Sequence, residues 1–167
     1  MRRKITIPLT TTISAHAAQD LIFGQTEVEN VATRLGGDVK IISASLISRG
    51  NKCPSIDLVF SENGHEALAG ETIGSPLSFI GTANLRTILL NSRICGIVTL
   101  DEVTDGNTGA LPGNYISTKS NIDLIVSTGT NKSNDLSTSF HVFGIAKSDV
   151  TTSQTSDFTL IHDIEKT

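Results

Sequence analysis

Few residues of this chain have the types and spacing that catalysis or metal binding requires. The segment that starts at His65 and Glu66 begins like the zinc motif HExxH, but position 69 is alanine, so the second imidazole is missing. Gly64 and Gly70 flank the segment and disfavour the helix on which this motif places its ligands. We therefore expect no zinc site here.

The cysteines and the other histidines are isolated in the sequence. Cys53 and Cys95 lie far apart and form no CxxC motif, which is typical of two half-buried thiols rather than a disulfide framework or a metal site. A thiol nucleophile would need a base within hydrogen-bond reach, and no spacing supplies one. The remaining histidines stand alone among strand-type residues, as surface or satisfied core imidazoles do: His16, His141 and His162.

One acidic loop could bind a cation. Asp101, Glu102, Asp105 and Asn107 offer the oxygen ligands that calcium prefers, but their spacing matches no cation motif, and polar turns supply the same residue types. With one Tyr, six Phe and no Trp, the chain also has little aromatic surface on which a sugar could stack. We expect a solvated loop, no cofactor, no metal and no catalytic residues, and hence a protein that is not an enzyme.

The composition of the chain limits the classes of partner that it can bind. The chain has 167 residues, a mass of 17.7 kDa and a formal net charge of −4, which is typical of one globular domain. A mildly acidic chain with 18% charged residues lacks the basic surface that nucleic acid or an anionic membrane attracts. No apolar run approaches the roughly 20 residues of a membrane span. The first residues, MRRKITIPLTTTIS, also lack the uninterrupted apolar core of a signal peptide, so we expect synthesis in a cytoplasm.

Residue types and periodicity favour strands. The chain contains 19 Ile, 9 Val and 21 Thr, and β-branched side chains pack well on a pleated sheet but lose rotamer freedom in a helix. Runs with a period of two predict six to eight strands, and their imperfect alternation favours two sheets packed face to face. The sequence therefore predicts an all-β sandwich.

The pattern divides the chain into three parts. Residues 1–14 read as an N-terminal extended arm, residues 15–147 as the sandwich domain, and residues 148–167 as a polar linker with a C-terminal strand-like extension. Pro8 cannot donate to a sheet ladder, so the arm cannot be a central strand.

Both chain ends carry apolar stripes that need a partner. Because an isolated strand is unstable in water, each end either closes the sheet of its own chain or adds a strand to another molecule. We expect intermolecular contacts, with the basic tip facing an acidic partner surface. The predicted assembly interface comprises Arg2, Arg3, Lys4, Ile5, Ile7, Leu9, Phe158, Leu160 and Ile164.

The order of these segments resembles a family of tailed-phage virion proteins, the capsid decoration or cement proteins. The resemblance covers roughly residues 3–147 and lies in patterns of strand-type residues. Its segments are ITIPLTTTIS, DLIFG, the GG turn before VKIISASLIS, SIDLVFS, ICGIV, NIDLIVSTGT and LSTSFHVFGIAK.

This resemblance implies a jelly-roll sandwich that binds the outer surface of a phage capsid and stabilises it, without catalytic residues. The implied partners are further copies of the chain, as a trimer, and the major capsid protein. The implied location is the capsid surface of the virion, after synthesis in the host cytoplasm. A tail, fibre or neck component and a carbohydrate- or cell-surface-binding module are the alternatives. The resemblance does not extend to residues 148–167.

Overall fold

The computed structural model describes most of the chain. It covers residues 2–11, 15–49, 53–65, 68, 71–76, 87, 90–101, 108–111, 114–131, 135–151 and 158–166. Within these ranges no helix is both long and apolar enough to cross a membrane.

The described residues form twelve strands. In chain order these are β1 (Arg2–Pro8), β2 (Ala15–His16), β3 (Leu21–Val28), β4 (Asp38–Arg49), β5 (Ile56–Ser61), β6 (Ile94–Leu100), β7 (Thr108–Leu111), β8 (Asn114–Lys119), β9 (Leu124–Ser127), β10 (Phe140–Ala146), β11 (Val150–Thr151) and β12 (Phe158–Lys166).

Ten of the strands build two antiparallel sheets that pack against each other, and β2 and β11 form a separate antiparallel pair. The larger sheet has the order β1-β12-β4-β8-β7, with β9 also paired to β4, and the smaller has the order β3-β10-β5-β6. β8 and β9 follow each other along one edge of β4 and act as one interrupted strand. Eight main strands can then be numbered 1 to 8 along the chain: β1, β3, β4, β5, β6, β8 with β9, β10 and β12. In these numbers the larger sheet has the order 1-8-3-6 and the smaller sheet the order 2-7-4-5, which is the jelly-roll topology. The prediction of an all-β, jelly-roll-like sandwich is confirmed.

Apolar side chains, which alternate with outward-facing residues along the strands, fill the space between the sheets. Along β12 every second side chain is buried, and β4 follows the same pattern on both sides of a short irregularity. The large buried side chains include Leu46, Phe60 and Leu160. Gly144 leaves room for this packing, since a Cβ there would overlap the ring of Phe23 and lie 2.7 Å from Ile56 Cδ1.

The two chain ends meet in the larger sheet. β1 pairs with β12 from Arg2 opposite Glu165 to Pro8 opposite Thr159, and β12 pairs with β4 on its other side. The structure therefore differs from the predicted division into arm, domain and extension, because β1 and β12 are strands of the sandwich itself. Pro8 fits this position, since β1 is an edge strand that needs to donate on one side only.

The apolar stripes of both ends face the core of their own chain. Ile5 is half-buried against that core, and the other apolar residues predicted for the assembly interface are buried in it: Ile7, Leu9, Phe158, Leu160 and Ile164. Their predicted role as intermolecular contacts is corrected accordingly, because a side chain that fills its own core cannot also contact a neighbour. The alternative, in which each end closes its own sheet, describes the structure.

Adjacent residues of β1 test this placement. Ile7 is 6% exposed and faces the core, whereas Thr6 is exposed on the opposite side of the strand. We expect Ile7→Ala to lower the free energy of unfolding by about 2–5 kcal/mol, through lost burial and a cavity. Thr6→Ala should change it by less than about 0.5 kcal/mol, as surface substitutions do. Urea denaturation of the two variants measures both values, and equal stabilities would contradict an inward-facing β1.

Candidate docking surfaces

The thiols are not placed for nucleophilic chemistry. Cys53 is fully buried, and its Sγ donates to the backbone oxygens of Leu46 and Tyr115, each at 3.3 Å. Burial raises the pKa of Cys53 to about 11, so the thiolate that attacks a substrate is scarce at neutral pH. Cys95 is half-buried, and burial raises its pKa as well. Neither cysteine is part of a disulfide.

The candidate metal ligands do not form a cluster in the part of the chain that the structure describes. There, no three His, Cys, Asp or Glu side chains lie close enough to hold one ion. Of the zinc-like segment His65 is described and Glu66 lies outside the described residues. Of the acidic loop only Asp101 is described.

Part of the outer face of the smaller sheet is covered by the chain itself. Leu68, in the connection between β5 and β6, is buried against Leu21, Val59 and Phe143 on that face. Ile73 from the same connection packs beside them, partly buried. This sheet therefore has a small second core on its outer side.

The outer face of the larger sheet, in contrast, is half-buried or exposed. We use the name open face for the outward side chains of its strands and of Asp123 beside β9, none of which is fully buried, whereas the inward side chains of β4 are. They are Arg2, Lys4, Thr6, Pro8, Lys40, Ile42, Ser45, Ile47, Ile116, Thr118, Asp123, Ile125, Thr159, Ile161, Asp163 and Glu165.

Strand register arranges the middle of the open face in two rows that cross β1, β12, β4 and β8 in that order. Both rows combine isoleucines with small hydroxyl side chains, and the Ser45 and Thr118 hydroxyls lie 2.9 Å apart. The first row is Thr6, Ile161, Ser45 and Thr118, and the second is Pro8, Thr159, Ile47 and Ile116. This is a flat surface of short, mostly β-branched side chains.

A row of alternating charge lies at one end of the open face. Arg2, Glu165 and Lys40 are register neighbours on β1, β12 and β4, and Asp123 beside β9 forms an ion pair with Lys40. These four side chains line one depression of about 380 Å³ together with Ile42. The hydrogen bond and the negative charge of Asp123 raise the pKa of Lys40.

Backbone conformation places Asp123 in this row. Asn121 and Asp123 have φ values of 54° and 56°, in the left-handed region, and they interrupt the strand between β8 and β9. Asn and Asp are among the non-glycine residues that tolerate this region best. Ile122 between them still donates its N–H to the Ile42 oxygen at 3.0 Å. The segment between β8 and β9 thus stays hydrogen-bonded to β4, while the Asp123 side chain forms its ion pair with Lys40.

A second surface lies at one end of the sandwich, and we call it the leucine end. It consists of Leu35, Leu90 and Leu136, whose exposed fractions are 58%, 65% and 67%. The loops of Leu35 and Leu136 are joined by a 3.4 Å hydrogen bond from Gly36 N to Ser137 O. Leu136 and Leu90 line two adjoining clefts of about 460 and 700 Å³.

The polar groups between these leucines already form hydrogen bonds or ion pairs within the chain. Asn63 donates through Nδ2 to the Asn91 oxygen at 2.9 Å and accepts from Thr130 N at 3.0 Å. Arg93 pairs with Glu62 at 2.9 Å. Side chains that hold loops together have little capacity left for a ligand, so these clefts do not favour a carbohydrate site. The exposed leucines are the distinctive feature of this end.

The predicted interface residues are thus divided by the fold. Arg2 and Lys4 lie on the open face, whereas Arg3 points to the other side of β1 and donates to the Asn30 oxygen at 3.2 Å. Ile47, Ile116 and the leucine end were missed. The sequence signal for the open face was the segment VKIISASLIS, which is apolar on both faces although only one face lies over the core.

No protein-family model matches the chain, and no curated protein matches it.

The histidine on β12 lies in the centre of the core. His162 is fully buried with the rings of Phe60 and Phe140 at centroid distances of 5.3 and 6.1 Å. Neither ring nitrogen has a hydrogen-bond partner among the described residues. Burial lowers the pKa of His162 from 6.5 to about 3, so the folded protein holds a neutral imidazole. This histidine is a core residue and not a ligand, but it is not the satisfied core residue that was predicted.

His162 should make the fold sensitive to acid. Its pKa is lower in the folded than in the unfolded chain, so its contribution is zero above about pH 6.5 and becomes destabilising as the pH falls toward about 3. Between these limits the free energy of unfolding should fall by about 1.4 kcal/mol per pH unit from this group alone.

The substitution His162→Leu removes this pH-dependent contribution to the free energy of unfolding. We expect the variant to match or exceed the wild type in stability at pH 8, because an unsatisfied polar group is removed. It should also lose stability less steeply between pH 6 and pH 4. Urea denaturation at each pH measures both profiles, and parallel profiles would contradict a neutral His162 in the core.

Proposed function

We propose that this protein is a structural virion protein that binds the outer surface of a tailed-phage capsid and stabilises it. The leucine end carries this proposal, because three large apolar side chains remain exposed at one end of the sandwich. Contiguous exposed apolar groups are typical of protein docking sites. The phage context comes from the resemblance of the segment order described above, and the jelly-roll fold agrees with the fold that this resemblance implies.

The leucine end has the chemistry of a repeated protein contact. Burial of one exposed leucine contributes about 1.5–3 kcal/mol. A protein that binds the assembled shell and not its free subunits stabilises the shell by mass action. Because many copies bind one particle, a modest contact per copy is sufficient.

The proposed partners are the major capsid protein, through the leucine end, and further copies of the chain, with the capsid surface as the location. The role is structural rather than enzymatic. The resemblance alone implies a trimer, and sedimentation equilibrium measures the number of copies from the 17.7 kDa chain mass.

Labelled protein on virus particles tests the proposal directly. Purified protein carrying a gold-binding tag is added to particles of the phage that encodes it, from which the protein has been removed. We expect label over the heads in electron micrographs and a higher temperature of capsid disruption. Label on the tail or neck, or heads without label, would contradict capsid decoration. A glycan array with binding above background would favour the carbohydrate-binding alternative instead.

The leucine end can be tested with a matched control. We expect the double variant Leu35→Ser, Leu136→Ser to bind heads at least tenfold more weakly, because two leucines at about 1.5–3 kcal/mol each no longer gain by burial. Ile97→Ser removes a side chain of similar exposure, 61%, from the edge strand β6 of the smaller sheet and should bind as the wild type does. Occupancy counted by electron microscopy gives the result, and equal loss in both variants would place the contact elsewhere.

A further inference from the structure

We propose that the open face is a contact between two copies of this chain, related by a two-fold axis that runs parallel to the strands between β12 and β4. Such a contact is isologous, so the same residues face each other in both directions. Part of the outer face of the smaller sheet is covered by its own chain, whereas the side chains of the open face are left half-buried or exposed. Two features of the open face fit a second copy: the order of its charges and the sizes of its side chains.

The charge row is self-complementary about this axis. The two-fold places β12 of one copy on β4 of the other and β1 on β9, while positions along the strands are kept. The row reads positive, negative, positive, negative across β1, β12, β4 and β9. In the second copy the row runs in the opposite order, so Arg2 faces Asp123 of the second copy and Glu165 faces Lys40 of the second copy. Every charge of the row then meets its opposite.

Side-chain size is self-complementary about the same axis. In the first central row, Ile161 faces Ser45 of the second copy and Thr6 faces Thr118. In the other row, an isoleucine on β4, Ile47, faces a threonine on β12 of the second copy. Each central isoleucine thus meets a short hydroxyl side chain, which allows the two pleated faces to interdigitate.

The contact area is small. Four strands at ~4.8 Å spacing and about seven residues of ~3.3 Å each give roughly 440 Å² per copy. Both copies together bury about 890 Å², which is below the ~1,000–1,200 Å² at which stable interfaces begin and is typical of a weak contact that needs a high protein concentration.

This contact concerns the self-association within the proposed function, but it uses a different surface from the leucine end. It also differs from the trimer that the resemblance implies, because an isologous contact closes with two copies. Capsid binding and self-association can therefore fail separately.

Reciprocal charge reversal tests the contact. Lys40→Glu places two carboxylates opposite each other across the axis, and Glu165→Lys places two ammonium groups there. We expect wild type to sediment at twice 17.7 kDa, and each variant alone at the monomer mass at the same concentration. Mixing the two variants should restore a one-to-one dimer. In that mixed dimer the introduced carboxylate faces the introduced ammonium group, and the native Glu165 of one copy faces the native Lys40 of the other.

Controls separate this contact from general effects of charge or folding. Arg34→Glu reverses an exposed charge that is not part of the open face and should leave the dimer intact. Thermal melting of each variant should show a folded protein. A wild-type monomer at high micromolar concentration, a trimer mass, or a mixture of the two variants that stays monomeric would each overturn the proposal.

Discussion

The insertion of β12 between β1 and β4 is the interaction on which the rest of this structure depends. It joins the two ends of the chain in the middle of the larger sheet, with a ladder on each side. Its inward residues, including Leu160 and His162, fill the core, and its outward residues, including Ile161 and Glu165, form the centre of the open face. One strand therefore supplies residues to both the interior of the sandwich and the open face.

The period of two, together with the abundance of β-branched residues, was sufficient to predict the sandwich, since both are local properties of the sequence. The partners of the terminal strands were not predictable in the same way. An apolar stripe such as that of Ile5 and Ile7 shows that one face must be buried, but it does not identify the surface that buries it. That information is carried by strand pairing between residues far apart in the chain, here Ile7 with Leu160.

The candidate surfaces were harder to predict than the fold. The leucine end depends on loops that come together only when the sandwich has formed, as Gly36 and Ser137 do. The open face left a partial signal in β4, whose Ile42 and Ile47 lie on the opposite side from Ile41 and Leu46. A strand that is apolar on both sides implies a cover on each. The sequence does not reveal whether that cover is the second sheet, a loop or another molecule.

The position of β12 also shapes how the chain acquires its structure. During synthesis β4 emerges long before the strand that separates it from β1, so one edge of the longest strand remains unpaired until β12 has been made. Closure of the larger sheet then joins residues of very large sequence separation, a feature associated with slow folding. In that interval the free edge of β4 is a template for pairing with other nascent chains. The polar and charged residues spread along it, among them Lys40, Ser43 and Ser45, reduce the hydrophobicity of that exposed edge while the sheet is incomplete.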